Sequence, residues 1–480
     1  FVLDPDGRRE LHTALGDGVY KAPVSYVSTV TPLFGGGFRL TRKDDAKYDF
    51  ASVDGRLLRI EDRYGRALDL TSDASAQLDL VTDSASGRFL EFTFTGSKVT
   101  SVATNPVTVA NVTLPSVWNY AYVGELLSSV CDAREQCTTY TYTSDRVTRI
   151  TLPDGNDKLR VQYSGSGKVA WSENGEGDRF SFTYGGGRTA VTDGRGYARS
   201  YFYDHLYRTT RIAEVDGSAT TYEYDVNGFR SAVVDANGNR ATMEYDERGN
   251  VLSQTNAEGE TTWFEYDGDD QIAVRDGRSS SSTDNTYKTS STYNDQGDLL
   301  TKTSPPTAEY PSGITATTTY TAGTENFGWG DAPAGLVRSQ SPGKGTTYFE
   351  YDGGGDLRRR IDPSGLVTTF SYDALGRLTL EIRSWTGGSS IAAREYDRVG
   401  NVVGELGTPT IDTTRTPNVV HWPRSTRVYD GNNNLISTTV SALGVGLDTA
   451  APRTTTYGYD DADRLISTTD AEGGVTTSEY

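Results

Sequence analysis

The chain has 480 residues, of which 35% are hydrophobic and 23% charged, and its formal net charge is −19. This composition is lean for a globular core and is typical of a sheet with one solvated face. The acidic charge disfavours nucleic-acid binding, because phosphate contacts need a basic surface. The apolar runs are too short for a transmembrane helix, so we expect no membrane insertion by this segment.

Residues 1–115 are predicted as an irregular, β-rich lead-in, with turn signals such as Asp54-Gly55. The chain opens on Phe1 and stops at Tyr480, inside the repeat pattern described below. We therefore interpret it as a piece of a longer protein, in which a targeting signal would lie elsewhere. An open ribbon would leave the strand near Tyr480 unpaired, so we expect that strand to be covered by another segment or chain, or to be disordered.

Residues 116–275 are predicted to carry the most regular repeats. Four tyrosines stand 21 residues apart and each precedes an aspartate: Tyr203-Asp204, Tyr224-Asp225, Tyr245-Asp246 and Tyr266-Asp267. A fixed period of this length indicates one supersecondary unit stacked many times.

Each repeat contains two turn signals, as in Asp235–Gly238 and Asp246–Gly249. Glycine accepts positive φ, and aspartate bonds its own backbone in such turns. Turns about 10 residues apart, separating Thr-, Val- and Tyr-rich runs, indicate short antiparallel strands. Tyr222 and Tyr224 share one strand face while Glu223 lies on the other. We predict an all-β antiparallel ribbon with an aromatic face and almost no helix, in which tyrosine packs and aspartate opens the turn.

Residues 276–345 are predicted as irregular repeats with loop insertions. Residues 346–480 return to the repeat, with an insertion at residues 404–425. The signature recurs there at Tyr351-Asp352, Tyr372-Asp373, Tyr396-Asp397, Tyr429-Asp430 and Tyr459-Asp460.

The two cysteines, Cys131 and Cys137, flank a repeat turn on opposite strands. Facing residues of an antiparallel pair are close enough for a disulfide, which would imply an oxidising compartment. The alternative is two free thiols in a cytosolic protein. A metal site is disfavoured, because two thiolates without a nearby histidine cannot complete a tetrahedron.

Nothing in the sequence singles out a catalytic group, a metal site or a cofactor site. The three histidines, His12, His205 and His421, are far apart, and most carboxylates fall in turns. Trp329 and Trp422 lie in the predicted insertions and are candidate glycan contacts. The alternative for both tryptophans is packing within the core or rim.

The unit Gly-x-x-Thr-x-x-x-Tyr-Asp-x-x-Gly-Arg/Asn-Leu/Val resembles the YD repeat of the Rhs family, most closely at Gly365–Leu378, and the resemblance covers at least residues 116–480. The lead-in looks like the region before the repeats in secreted bacterial members. The family includes bacterial Rhs and wall-associated polymorphic toxins, the C components of Tc toxins, and animal teneurins.

This resemblance implies a β-sheet ribbon coiled as a spiral into part of a hollow shell. It further implies a non-catalytic segment of an exported bacterial protein, extracellular or at the cell surface. The implied partner is a passenger such as a C-terminal toxin, or the remaining part of the same protein. The alternative is a cell-surface adhesive or carbohydrate-binding scaffold. The family's self-cleavage sequence is matched only by Asp362–Leu366, which sits in an ordinary repeat turn, so we do not expect autoproteolysis of this chain.

Overall fold

The computed structural model describes residues 2–3, 9–16, 18–22, 27–412, 419–445 and 451–480. Within them every helix or strand element is a β-strand, which confirms the all-β prediction. Strands β1 (Val2–Leu3) and β2 (Arg9–Glu10) form a small separate hairpin. The other 42 strands of the described residues form one antiparallel sheet.

The first part of the sheet, through residue 203, consists of β3 Thr13–Gly16, β4 Val19–Lys21, β5 Thr29–Pro32, β6 Phe38–Thr41, β7 Lys47–Phe50, β8 Leu57–Glu61, β9 Ala67–Ser72, β10 Leu78–Asp83, β11 Phe89–Thr95, β12 Lys98–Val109, β13 Val112–Val123, β14 Leu126–Cys131, β15 Cys137–Thr143, β16 Arg146–Thr151, β17 Asp157–Tyr163, β18 Val169–Glu173, β19 Arg179–Gly185, β20 Arg188–Thr192 and β21 Ala198–Tyr203.

The second part consists of β22 Thr209–Ala213, β23 Ala219–Tyr224, β24 Arg230–Val234, β25 Arg240–Tyr245, β26 Val251–Thr255, β27 Thr261–Asp267, β28 Asp270–Arg275, β29 Lys288–Tyr293, β30 Leu299–Thr303, β31 Thr315–Tyr320, β32 Val337–Ser341, β33 Thr347–Tyr351, β34 Leu357–Ile361, β35 Val367–Tyr372, β36 Leu378–Trp385, β37 Gly388–Tyr396, β38 Val402–Leu406, β39 Thr410–Asp412, β40 Val419–Tyr429, β41 Leu435–Val445, β42 Arg453–Tyr459, β43 Leu465–Thr469 and β44 Val475–Thr477.

Each strand pairs with its neighbours in sequence, so the sheet is an open ribbon running from β3 to β44. The one departure is at β40, which pairs with both β38 and β39. The ribbon has two edges made of turns. We call the edge that follows the signature tyrosines the YD edge; it carries turns such as Asp246–Asn250. The other is the far edge, which carries turns such as Asp132–Gln136.

The signature aspartate closes its own turn. In the turn that follows Tyr245, Asp246 Oδ1 accepts the backbone N–H of Arg248 at 2.9 Å and of Asn250 at 2.8 Å. Asp246 Oδ2 accepts the Asn250 side-chain amide at 2.8 Å. Gly249 has φ of +80°, which glycine adopts without steric cost. The Asp, Gly and Arg/Asn positions of the repeat are therefore one hydrogen-bonded turn.

The signature tyrosine joins one repeat to the next. A β-bulge recurs opposite it: Tyr224 faces Arg230, and the register then skips Ser231. One repeat later, the Tyr245 hydroxyl donates to the carbonyl of Arg230 at 2.9 Å. Among the described residues the same bond to a bulge carbonyl is made by Tyr163, Tyr224, Tyr245, Tyr293, Tyr320, Tyr351, Tyr372, Tyr396, Tyr429, Tyr459 and Tyr480.

The sheet is a single layer without a conventional core. Its polar face carries cross-strand ion pairs, such as Arg240 with Glu223. The largest fully buried side chains in the described part of the chain are only Thr368 and Ser116. Stability therefore comes from cross-strand contacts between neighbours, as in other repeat arrays.

Two details differ from the sequence predictions. Residues 404–425, predicted as an insertion, contain the end of β38, β39 and the start of β40, so Trp422 lies in a strand; residues 413–418 of this range lie outside the described residues. The last strand, β44, pairs only with β43, and no described residue covers its outer edge, although we expected a covering segment or disorder. Its length of three residues limits the exposed ladder, which is one way natural sheets protect an edge.

Candidate functional site: a hollow wall closed by a seam

The ribbon turns back and meets itself along its edges. Lys43 in a far-edge turn donates to the carbonyl of Arg248 in a YD-edge turn at 3.1 Å. Farther along, Arg134 donates to the carbonyl of Asp430 at 3.2 Å. We call these contacts, between far-edge residues 43–178 and YD-edge residues 248–464, the seam. Their partners are 205 to 307 positions apart in sequence.

The seam keeps one order along its length, so the two windings run side by side. Between Lys43 and Arg134, Arg63 pairs with Asp298 at 3.2 Å and Arg88 pairs with Asp356. Ser116 then donates to the carbonyl of Arg398 at 2.7 Å. This ordered register is the geometry of a spiral, as the repeat resemblance implies.

At its later end the seam also uses backbone amides. Asp154 accepts the N–H of Gly431 at 3.2 Å, and Glu176 accepts the N–H of Asp461 at 2.7 Å. The backbones come so close that a Cβ on Gly175 would clash with the Asp461 carbonyl oxygen. Glycine is therefore required at this point of the seam.

The seam perturbs several carboxyl groups. The hydrogen bond from Arg248, with the charge of Lys43 nearby, lowers the pKa of Asp269 despite partial burial. Burial raises the pKa of Asp298, and the charge of Arg63 only partly offsets that effect. The seam is thus an electrostatic contact made mostly by partly solvated side chains, with Asp298 buried.

The windings enclose a wide space. Along the ribbon, the β6–β7 turn lies 19 strands before its seam partner, the β25–β26 turn. The β14–β15 turn lies 25 strands before its partner, the β40–β41 turn, when β39 is not counted. At about 4.8 Å per step, one winding measures roughly 90–120 Å around and roughly 30–40 Å across. Subtracting about 10 Å for the sheet itself leaves a lumen roughly 20–30 Å wide.

Side chains do not fill this lumen. The buried hydrophobic residues in the described part of the chain are mostly alanines, and the largest of them is Leu40. A small β-barrel is filled by its own side chains, whereas barrels of 16 or more strands leave a channel. The wall is therefore hollow at this level.

The two cysteines brace a turn of the seam. Cys131 and Cys137 face each other in the β14–β15 register, their Cα atoms are 3.9 Å apart, and their sulfurs are bonded. The disulfide closes the far-edge turn Asp132–Gln136, which presents Arg134 to the second winding.

The other candidate residues are not brought together. Trp329 is 45% exposed in the loop between β31 and β32, at the YD edge. Trp422 lies on β40 where that strand extends past the far edge, in register with Leu443. His205 sits in an exposed turn and His421 on β40. No group of His, Cys, Asp or Glu in the described ranges is arranged to hold a metal ion.

The seam residues carry no recognisable sequence signal. Lys43, Arg63, Arg88 and Arg134 are ordinary basic residues within or beside turns, and nothing in their immediate sequence distinguishes them from Arg195. The only usable signal would have been the length of one winding, because it pairs each far-edge turn with a distant YD-edge turn.

These features define a repeat-built β-shell scaffold: a single ribbon, wound on itself and closed by turn-to-turn contacts. The Teneurin YD-shell family model matches residues 145–310, and the RHS Repeat model matches residues 351–390 and 449–475. The chain belongs to the Rhs/YD-repeat family and is a shell or scaffold segment of that type.

Two of the similar solved structures contain TccC3. The Tc holotoxin pore of Photorhabdus luminescens is 15% identical, with 95% of this chain and 26% of that chain covered and a TM-score of 0.48. TcdB2-TccC3 without its hypervariable C-terminal region is 16% identical, with 99% and 26% covered and a TM-score of 0.48. This chain thus spans about a quarter of those chains. A comparison with curated proteins finds no match.

In the described residues, no helix has the length and apolar character needed to span a membrane.

Proposed function

We propose that this chain is a non-catalytic wall segment of an exported bacterial shell that encloses a polypeptide passenger, such as a toxin domain of the same protein. The observation that carries the proposal is the unfilled lumen, roughly 20–30 Å wide, between windings held edge to edge. A folded domain of 100 residues has a radius of gyration of about 13 Å, hence a diameter of roughly 34 Å, and would not fit. A passenger at this level is therefore extended or partly folded.

The wall suits containment for a physical reason. Along the ribbon the internal strands other than β39 pair with a neighbour on both sides, so proteases find few extended segments to bind. The Cys131–Cys137 disulfide supports an oxidising, extracellular location. The net charge of −19 keeps such a large β-surface soluble.

The titratable groups support a structural role. Backbone and side-chain hydrogen bonds from Arg464 lower the pKa of Asp460 against the effect of burial, and both residues belong to one turn. Asp269 and Asp298, whose pKa values are also altered, are likewise engaged in turn or seam contacts. We accordingly assign them to architecture and not to proton transfer.

Protease protection tests containment. A polypeptide that contains both this chain and the proposed passenger is purified. It is treated with proteinase K before and after denaturation in urea. A fragment outside the wall sequence that survives only in the native state supports the proposal. If every such fragment is digested as fast as the same fragment in isolation, the proposal is wrong.

A second candidate, a carbohydrate-binding surface scaffold, is favoured by the half-exposed ring of Trp329. Aromatic rings at exposed loops are suited to stacking on sugars. The wild-type chain, Trp329→Ala and Trp422→Ala are tested on a glycan array. Binding by the wild-type chain that is lost in Trp329→Ala would support this candidate. An array without signal for the wild-type chain would remove it.

A further inference from the structure

The seam and the ribbon are held by different kinds of bond. Neighbouring strands within the ribbon exchange backbone hydrogen bonds throughout, as between β25 and β26. Across the seam, the described residues show no backbone-to-backbone hydrogen bond; every such contact uses a side chain. Separating the windings therefore breaks no part of the β-ladder.

The basic side chains of the seam are also within reach of solvent, and so are most of their carboxylate partners; Asp298 is the buried exception. Exposure of the basic groups ranges from 19% for Arg134 to 38% for Arg63. Ion pairs at this level of exposure are weak individually and are screened by salt. The ladder bonds are uncharged and paired on both sides, so salt affects them much less.

We propose that the seam is a gate: the two windings part along it while every hairpin stays folded. Opening would start where the contacts are charged and exposed, and it would widen the lumen without unfolding a repeat. Its use for the entry or exit of a passenger rests on the proposed containment, but the gate itself does not.

Four backbone amides report directly on the state of the seam. The N–H groups of Gly431, Asn432 and Asp461 donate to carboxylates of the first winding, and that of Asp154 donates to Asn432. Other amides in the same turns donate only within their own turn; they include Asn434 to Asp430 and Arg464 to Asp460. These serve as internal controls for local turn opening.

The test is residue-resolved hydrogen exchange on the 480-residue chain. Raising NaCl from about 0.05 M to about 0.5 M should speed exchange at the reporter amides at least about threefold, because the Debye length falls several-fold. Ladder amides of β25 and β26 and the internal control amides should change far less. Equal acceleration at reporter and ladder amides would show that the windings separate only by unfolding, which overturns the proposal.

A charge reversal tests the same gate at low salt. Arg134→Glu places a carboxylate against the carbonyls of Asp430 and Gly431 and should accelerate the reporters at least about threefold. Arg195→Glu is the matched control, since Arg195 holds the same position in its turn, is exposed and has no seam partner among the described residues. Reporters that respond equally to both variants, or to neither, contradict the proposal.

A disulfide engineered across the seam tests the opposite case, in which the windings cannot separate. Asp154 and Asn432 contact each other across the seam through both backbone and side-chain groups, so D154C/N432C joined by a disulfide should hold the windings together. The locked protein should lose the salt response at Asp461, whose acceptor Glu176 is unchanged, and reduction should restore it. A salt response that persists in the locked protein would show that the reporters open for another reason.

Discussion

Replacing Tyr372 by phenylalanine removes one hydroxyl group and keeps the ring. That hydroxyl donates to the carbonyl of Leu357, at the bulge of the preceding repeat, with a length of 2.9 Å. Burial raises the pKa of Tyr372, so the group remains a neutral donor across the physiological range. The lost bond should cost about 1 kcal/mol, because water can reach the half-buried carbonyl and replace part of it. This corresponds to a roughly fivefold change in the local opening equilibrium.

The effect should be local, because stability in a repeat array is a sum of nearest-neighbour terms. Hydrogen exchange at β34 and β35 should accelerate about fivefold, with no change in distant repeats. Tyr203→Phe is the matched control. The hairpin before Tyr203, β19–β20, has no register shift, and the Tyr203 hydroxyl makes no hydrogen bond in the described structure. Equal effects of the two variants, or none for Tyr372→Phe, would refute the role assigned to the hydroxyl.

Three further predictions follow from single contacts. Cys131 and Cys137 should resist alkylation in the native protein and yield two reactive thiols only after reduction; two thiols in the untreated protein would contradict the disulfide. Burial opposes ionisation of Asp157, but hydrogen bonds from two arginines prevail and lower its pKa. Its contribution to stability should be present above its unfolded pKa of about 3.9 and be lost as pH falls through the lowered value. Protection of β17 that is unchanged by acid, or that has the same acid dependence in Asp157→Asn, would argue against this. Burial raises the pKa of Tyr351 to about 12, so local stability should fall as pH rises from about 10 towards that value, and Tyr351→Phe should remove the late step in an absorbance titration.

Local sequence determined the repeating unit. Each Asp-x-x-Gly turn depends on contacts within five residues, as between Asp246 and Asn250, so its chemistry is readable without a structure. The 21-residue period likewise predicted the antiparallel order of strands and the shared face of Tyr222 and Tyr224. The insertion at 404–425 was harder to read, because prolines suggested a loop where β40 forms.

The hydrogen bond of the signature tyrosine was only partly predictable from the sequence. The sequence indicated that Tyr245 packs on a repeated face, but not that its hydroxyl reaches the bulge carbonyl of Arg230. A bulge is set by how two strands pair, and a one-residue shift in register leaves no fixed mark in composition. The repeat spacing therefore gave the position of the residue and not its bond.

Only the tertiary structure decided how the ribbon closes. The seam joins residues 205 to 307 positions apart. Lys43, Arg63 and Arg134 bind turn carbonyls, which every turn presents whatever its sequence. Arg134 and Arg195 occupy the same place in similar turns, yet only Arg134 meets a second winding. The difference comes from the circumference of one winding. That circumference is set by small twists and bulges that add up over some 20 strands. The lumen exists for the same reason, since its width depends on where the ribbon meets itself.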